Sequence, residues 1–259
     1  PYLNVLRKRN PYLLHPLVEE ILIEKSATGR SSWIRLFDET SAALRFPFKK
    51  KSLTEAEILN LLSDADPDTR KIAGKSLSEV LENNKRIFGM ILNVISRDRF
   101  IEDNKRGFKR IMSSRNLDND VEDEVVDKLV STVDKAMPKL THRYYKWKAN
   151  QFGQTSLDWW DRNAPLPHSS ENLIKWSDAK DIILDSFSSF HPEISNLAEL
   201  FFKNNWIDAS LRKGKASGAF AHPSVPSLHP YILVNYQGKI RDVMTCLLYT
   251  SDAADDGLC

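Results

Sequence analysis

The apolar positions of this chain recur mostly three and four residues apart, which is the period of an α-helix with one buried face. Residues 17–22 follow this spacing, and a longer stripe runs through residues 72–95. A third stripe places an apolar residue at every fourth position between 121 and 137. The sequence therefore predicts a mainly α-helical protein. Residues 1–16 mix basic and aromatic side chains with prolines, and they predict an irregular lead-in.

Two helix starts carry recognisable capping residues. Thr54 and Glu57 have the spacing of a capping box, in which each side chain satisfies a backbone amide of the first turn. Asp66 stands before Pro67, a pairing that favours an N-cap carboxylate and a first helical residue. Two short helices joined in this way are similar to one unit of a helical repeat. No second copy recurs at a period of roughly 30 to 50 residues, which weakens that interpretation.

The pattern changes from helix to strand near the end of the chain. Residues 231–236 are aromatic and β-branched, and Gln237 and Gly238 close them, which indicates a buried strand followed by a turn. Asp242 then offers an N-cap oxygen to a new helix. Together with residues 215–223, this region predicts a small antiparallel β-sheet that leads into a helix.

Composition and charge exclude several classes of protein. The formal net charge of +2 is too small to indicate a nucleic-acid or anionic-membrane partner. The lysine run 49–51 is typical of a solvated loop. No apolar run approaches the ~18 residues of a membrane helix, and the first residues show no secretory signal. We therefore expect a cytoplasmic protein of one or two domains.

The cysteines and the charged clusters of the body offer little chemistry. Both cysteines, Cys246 and Cys259, lie near the end, so the body has no disulfide, thiol nucleophile or cysteine metal site. Asp158 and Asp161 have the spacing of an acid/base pair on one helix face. No base or nucleophile stands near them, and salt bridges with Arg162 are the favoured interpretation. The basic residues 106–110 could line a groove for peptide carboxylates, but a solvated face is favoured.

Several separated blocks of the sequence carry a family resemblance. They are residues 25–30, 35–39, 142–145 and 160–167, followed by Gly218-Ala219-Phe220, His229-Pro230-Tyr231, Asn235-Tyr236-Gln237-Gly238 and Arg241-Asp242-Val243-Met244-Thr245. In this order they resemble oligoendopeptidase F, one of the zinc metallopeptidases similar to thimet oligopeptidase. The resemblance covers residues 12–245.

This resemblance implies a zinc endopeptidase that cuts short peptides inside a mostly helical bowl. A small antiparallel sheet would lie over the active-site helix and hold an extended substrate at its edge by backbone hydrogen bonds. The expected substrate-binding residues are Gly218, Ala219, Phe220, Asn235 and Tyr236. Gly218 would let another backbone come close, and the Asn235 and Tyr236 side chains would orient a peptide carbonyl. Ordinary sheet packing is an equally good interpretation of Phe220 and Tyr236.

The sequence departs from the family at the motif that carries the chemistry. In the family, residues equivalent to 242–245 open the active-site helix and the zinc motif H-E-x-x-H follows within one turn. The two histidine positions here hold Leu248 and Asp252, and the glutamate position holds Tyr249. None of these can replace imidazole ligands and a general base. We therefore expect no catalytic residue, no metal ligand and no bound zinc in this chain, although the full-length family enzyme uses zinc.

The same departure shapes the expected domain organisation. Residues 1–85 would form an N-terminal helical domain, residues 86–245 the first part of a zinc peptidase domain, and residues 246–259 a non-native tail similar to translated adapter sequence. Without the active-site helix, Ile232, Leu233 and Val234 of the predicted strand would be partly uncovered.

Three functions remain open from the sequence. The first is a fragment of a zinc metalloendopeptidase that hydrolyses short oligopeptides, inactive as it stands. The second is a non-enzymatic helical scaffold that binds partner helices or peptides. The third is a hydrolase that uses Asp158 and Asp161.

Overall fold

The computed structural model describes residues 2–167, 173–225 and 228–256, and these residues are mainly helical. The helices are α1 (Tyr2–Lys8), α2 (Pro16–Ser26), α3 (Arg30–Ala43), α4 (Glu55–Leu61), α5 (Pro67–Arg106), α6 (Ser113–Asp118), α7 (Asp123–Ala136), α8 (Arg143–Gln151), α9 (Trp176–Phe190), α10 (Pro192–Lys203) and α11 (Ile240–Asp256). The strands are β1 (Phe46–Phe48), β2 (Lys51–Leu53), β3 (Ile207–Asp208), β4 (Phe220–His222) and β5 (Tyr231–Leu233). The predicted fold class, mainly α with a small sheet near the C-terminus, is confirmed.

The chain divides into two compact units. The first consists of Pro1–Ser41 and Gly74–Arg162, and the second of Ala42–Ala73 and Asn163–Cys259. Helix α5 begins in the second unit and continues into the first. None of the helices in the described part of the chain has the length and apolar character that a bilayer span requires.

An ion pair joins α2 to the end of α5 in the first unit. The Arg106 guanidinium donates to both carboxylate oxygens of Glu19, at 2.6 and 2.8 Å, and also to Glu102 of its own helix. Arg110 pairs with Asp127 at 2.8 Å. A solvated face was the favoured prediction for these basic residues, and it is wrong for Arg106 because two carboxylates and the Tyr12 carbonyl surround its head group.

The predicted irregular lead-in is wrong, because residues 2–12 form α1 and a short 3-10 turn. Pro11 and Pro16 lie in the first turns of local helices, where a missing backbone N–H costs nothing. Lys8 pairs with Asp120 at 2.6 Å, a contact within the first unit between two exposed side chains.

The regular apolar stripe of α7 lies at the surface. Val125, Leu129 and Val133 are each more than half exposed. Pro138 ends the α-helical geometry and starts a π-helical turn, Pro138–His142, which leads into α8. Helical periodicity thus predicted the helix correctly but did not show which face the unit buries.

Both predicted helix starts of the second unit are confirmed. Thr54 N donates to the Glu57 carboxylate at 2.7 Å, and Glu57 N donates to Thr54 Oγ1 at 3.4 Å. The Asp66 carboxylate accepts from the backbone of Asp68 and Thr69, both at 3.2 Å. Lys49 and Lys50 form the turn of the antiparallel hairpin β1–β2 and Lys51 begins β2, and all three are exposed, in agreement with the predicted solvated run.

The three-stranded sheet of the second unit has the order β3–β5–β4. Strand β5 is antiparallel to β4, as predicted, and parallel to β3, which the sequence analysis missed. Ile232 and Val234 are only 1% and 2% exposed, and they pack in a cluster with Phe201 and Ala253. The expectation that strand residues 232–234 would be partly uncovered is wrong for Ile232 and Val234, because α11 continues to Asp256 and covers them, whereas Leu233 on the opposite face is partly exposed.

Candidate functional site

A cavity of about 450 Å³ opens within the second unit. One wall is α4, a second is the first half of α11, and a third is made by the chain before β4 and after β5. The lining residues include Asn60, Gly218, Ala219, Asn235 and Tyr236.

Side chains from the turn after β5 hold α4 against this cavity. The Gln237 amide donates to the Ala56 carbonyl at 3.2 Å. The Lys239 ammonium donates to the Asn60 and Ser63 carbonyls, both at 3.1 Å. Ala56 lies in the first turn of α4, Asn60 in its last turn, and Ser63 just beyond the helix, so the two side chains bind α4 near both of its ends. The contacts connect α4 to the turn that precedes α11.

Four of the five predicted substrate-binding residues line the cavity: Gly218, Ala219, Asn235 and Tyr236. The fifth, Phe220, is 43% exposed on β4 beside the cavity. Its register partner is Leu233, so its side chain lies on the face of the sheet away from α11.

The polar side chains of Asn235 and Tyr236 bind the protein's own backbone. Asn235 Nδ2 donates to the carbonyls of Ala216 and Gly218, both at 2.9 Å, which uses both protons of the amide. The Tyr236 hydroxyl donates to the Ile174 carbonyl at 2.8 Å, and burial raises the pKa of this phenol. In this structure the two side chains shape the cavity wall rather than present donors to a ligand.

The backbone conformation at position 218 explains why a glycine occupies it. Its φ of +88° lies in the left-handed region, which favours glycine. No described heavy atom lies within 4 Å of the position that a Cβ would take, so the space beside Gly218 is open. The close approach of a second backbone that the sequence predicted is therefore sterically possible.

Among the described residues no strand pairs with the outer side of β4, and the hydrogen bonds of β5 show which β4 residue faces that side. Ile232 N donates to the Trp206 carbonyl at 2.9 Å, and Val234 N donates to the Asp208 carbonyl at 3.0 Å. The polar backbone groups of these two β5 residues therefore point toward β3. Because N–H and C=O groups alternate sides along a strand, those of the residues between them point toward β4.

The backbone N–H and C=O groups of Ala221 consequently point away from β5. Phe220 lies opposite Leu233, whose N–H and C=O point toward β4, so this pair exchanges the ladder hydrogen bonds. Ala221 is the next residue, and its N–H and C=O point outward along the free edge of β4. Its methyl group packs on the α11 side of the sheet. A free edge of this kind can accept an added strand.

The residues at the family's zinc positions do not form a metal site. Leu248 and Asp252 are exposed on α11, and Tyr249 packs toward the sheet. A catalytic zinc takes three protein ligands, and these positions offer a single carboxylate. The described residues contain no cluster of three or more His, Cys, Asp or Glu side chains that could hold a metal ion. The residues present therefore do not fit zinc.

Cys246 does not supply the missing ligand. It is fully buried in α11, and burial raises the pKa of its thiol to about 11. The thiolate is the form that binds metal, and a protonated thiol packed among apolar side chains is inert. Cys259 lies outside the described residues.

The two carboxylates of the third hypothesis lie in different surroundings. Asp158 is exposed and lines a separate surface cavity of about 490 Å³ with His142 and Arg162. Asp161 is only 4% exposed. Their backbones are joined by a hydrogen bond of a 3-10 turn, from Asp161 N to the Asp158 carbonyl at 2.9 Å. The structure thus gives only one of them access to solvent.

Sequence reasoning missed two lysines that build the site. Lys239 anchors α4, and Lys215 is buried beside the end of β5. Most of their partners are backbone carbonyls, which carry no sequence signature, although Lys215 also pairs with the Asp208 carboxylate. The only local indication was the basic character of residues 212–215.

Comparison with known protein families decides the lineage. Residues 1–46 match the family described as Oligopeptidase F, and residues 60–252 match peptidase family M3. The chain belongs to peptidase family M3. The resemblance stated from the sequence blocks is confirmed, and the M3 match extends past Thr245 to residue 252.

Two curated relatives of this M3 chain carry related names. Oligopeptidase PepF of Bacillus subtilis (strain 168) is 25% identical over 247 residues, which are 93% of this chain and 36% of the relative. The oligoendopeptidase F homolog of Borreliella burgdorferi is 29% identical over 247 residues, which are 93% of this chain and 41% of that protein. The chain thus spans well under half the length of the curated relatives it matches.

A solved structure supports the fold. PZ peptidase A with inhibitor 2 superposes with a TM-score of 0.82 at 19% identity. The superposition covers 96% of this chain and 44% of the other. At 19% identity this likeness establishes only the fold of the chain.

Proposed function

We propose that this chain is the peptide-binding portion of a zinc-dependent M3 endopeptidase that acts on short oligopeptides. The observation that supports it most is the free edge of β4 at Ala221, beside a cavity lined by Gly218 and Ala219. An extended peptide would add to this edge as a fourth strand and form hydrogen bonds with the Ala221 N–H and C=O. Alternate side chains of the peptide would then point toward the cavity.

The geometry accounts for a preference for extended, unstructured peptides. Strand addition uses only backbone groups of the ligand, so it accepts many sequences but requires an extended backbone. A folded protein has already paired most of its backbone groups and offers few to a strand edge. Gly218 adds an open surface on which a second backbone can lie without meeting a side chain.

We further propose that this chain does not itself hydrolyse peptide bonds. Membership of family M3 implies zinc in full-length enzymes. The side chains of Leu248, Tyr249 and Asp252 provide neither the ligand set nor a base placed to activate water. The role left to the residues present is to bind and orient a peptide.

Binding of a short blocked peptide, followed by fluorescence anisotropy, tests strand addition. Ala221→Pro removes the outward N–H and keeps the hydrogen bonds between β4 and β5, because proline is tolerated at a strand edge. We expect this variant to lose peptide affinity, while the matched Ala221→Ser keeps it. A peptide methylated at every backbone nitrogen should bind weakly, because methylation at alternate nitrogens would leave one edge of the peptide able to pair. Equal affinity for the methylated and unmethylated peptides would refute the proposal.

A zinc titration and a quenched-fluorescence peptide assay test the absence of hydrolysis. We expect no stoichiometric zinc binding and no cleavage. Cleavage by zinc-loaded protein would show that the catalytic part of the proposal is wrong. The scaffold hypothesis predicts a different result, namely that an amphipathic helical peptide binds more tightly than an extended one. Cleavage lost on Asp158→Asn would favour the two-carboxylate hydrolase.

A further inference from the structure

Lys215 is a buried cation within the second unit. Its side chain is 1% exposed, and its ammonium lies 2.7 Å from the Val234 carbonyl oxygen, 2.9 Å from the Ser210 carbonyl oxygen and 2.9 Å from the Asp208 carbonyl oxygen. One carboxylate oxygen of Asp208 lies 3.1 Å away. Oxygen atoms thus surround the three protons of the ammonium group. A lysine is almost never fully buried unless it is paired in this way.

A second cation supports this arrangement. Arg212 donates to both carboxylate oxygens of Asp208, so the carboxylate is shared between Arg212 and Lys215. The hydrogen bond from Arg212, with a smaller contribution from Lys215, lowers the pKa of Asp208. The carboxylate is therefore charged at neutral pH and balances the buried ammonium.

Asn235 binds the residues that follow Lys215. Its amide binds the carbonyls of Ala216 and Gly218, whereas Lys215 binds the carbonyl of Val234. Val234 and Asn235, the two residues that follow β5, therefore both form hydrogen bonds with the segment from Lys215 to Gly218. This segment has no helix or strand of its own, since residues 209–219 lie between β3 and β4. Its position depends on these side-chain contacts.

We propose that Lys215 and Asn235 form a positioning clamp that holds residues 216–219 as the cavity wall and thereby sets the affinity for peptide at the edge of β4. This inference rests on the proposed function. The donors of both residues are engaged by the protein itself, so they act through Gly218 and Ala219. Holding a short wall in its bound conformation raises affinity because less ordering is required when the ligand arrives.

The experiment compares peptide affinity, local hydrogen exchange and global stability in the same set of variants. Asn235→Ala removes one arm of the clamp at a partly exposed position, and Lys215→Met removes the other. Lys213→Met is the matched control, because this exposed lysine lies two residues away and loses the same charge. We expect Asn235→Ala to lower peptide affinity by about tenfold, with Lys213→Met unchanged.

The exchange measurement separates positioning from general destabilisation. We expect amides 216–219 of Asn235→Ala to exchange faster, while the thermal midpoint and the exchange of α9 and α10 stay as in the unchanged protein. Bound peptide should restore protection in this segment. If Lys215→Met fails to fold, Asn235→Ala alone decides the outcome.

Two negative results have different meanings. If the unchanged protein shows no peptide binding at the β4 edge, the proposed function itself fails. If it binds peptide and Asn235→Ala binds equally well, or loses affinity only with global stability, the clamp is wrong and the proposed function stands.

Discussion

Ala253 of α11 packs in the same buried cluster as Ile232 of β5, and neither residue is more than 1% exposed. Ala253 belongs to the stretch that the sequence analysis predicted to be a non-native tail. In the structure this stretch completes the core under the sheet. The last turns of α11 are therefore part of what keeps the strands in place.

A charge at this position should unfold the second unit. We expect Ala253→Asp to destabilise the protein by about 3 to 5 kcal/mol, because it would bury an unpaired carboxylate among apolar side chains. Urea unfolding followed by circular dichroism measures this loss. Ser251→Asp is the control, since Ser251 is exposed on the same helix. Equal stability of the two variants would mean that α11 does not cover the sheet in solution.

The pair Glu19–Arg106 predicts a loss of stability in acid. Hydrogen bonds from Arg106 lower the pKa of Glu19 from its ordinary value of about 4.5 to about 2. A carboxyl group with a lowered folded pKa stabilises the protein above its unfolded pKa and loses this contribution as the pH falls toward the folded pKa. We expect about 1 to 2 kcal/mol to disappear between pH of about 4.5 and about 2, less than the full shift because the pair remains partly hydrated.

Glu19→Gln should flatten this acid dependence and lower stability at neutral pH. Glu20→Gln is a matched control on an exposed neighbour, and it should leave the curve unchanged. Urea unfolding at a series of pH values provides the measurement. Parallel curves for Glu19→Gln and the unchanged protein would contradict the assignment.

Two glycines of α5 should respond in opposite directions to the same substitution. An added Cβ at Gly74 would lie 2.9 Å from Trp160 Cβ and 3.2 Å from the Trp159 ring, whereas nothing described lies within 4 Å of one at Gly89. We expect Gly89→Ala to gain up to about 1 kcal/mol from helix propensity. Gly74→Ala should lose about 1 to 3 kcal/mol through overpacking. Thermal unfolding distinguishes them, and a gain at both positions would show that the tryptophans do not pack against Gly74.

The buried thiol of Cys246 should be unreactive in the folded protein. Burial raises its pKa to about 11, so very little thiolate exists at mildly alkaline pH. In a Cys259→Ser background we expect a thiol reagent to label Cys246 only after urea is added. Rapid labelling without urea would show that α11 opens readily.

Sequence reasoning worked where the information was local. The capping box at Thr54 and the cap at Asp66 need only residues within one helical turn, and both formed as predicted. Strand β3 was missed because it has only two residues and its partner β5 lies far along the chain. The contacts of Lys215 were missed for the same reason, since their geometry depends on the folded sheet.

The helix over residues 246–256 could have been predicted. Val243, Cys246, Thr250 and Ala253 recur at helical spacing, and all four are buried. The prediction of a non-native tail rested on the missing zinc motif and took no account of this periodicity. The domain boundary at residue 85 and the foreign origin of residues 246–259 stay predictions.

The brevity of β4 has a consequence for self-association. Only three residues form the strand, and Pro223 follows immediately with no N–H to offer. Two copies of the chain meeting edge to edge could pair only through one outward-facing residue each, Ala221, and neither strand could extend the ladder, whereas a bound peptide would also contact the neighbouring cavity. The proposed peptide-binding edge is thereby kept from templating fibrils.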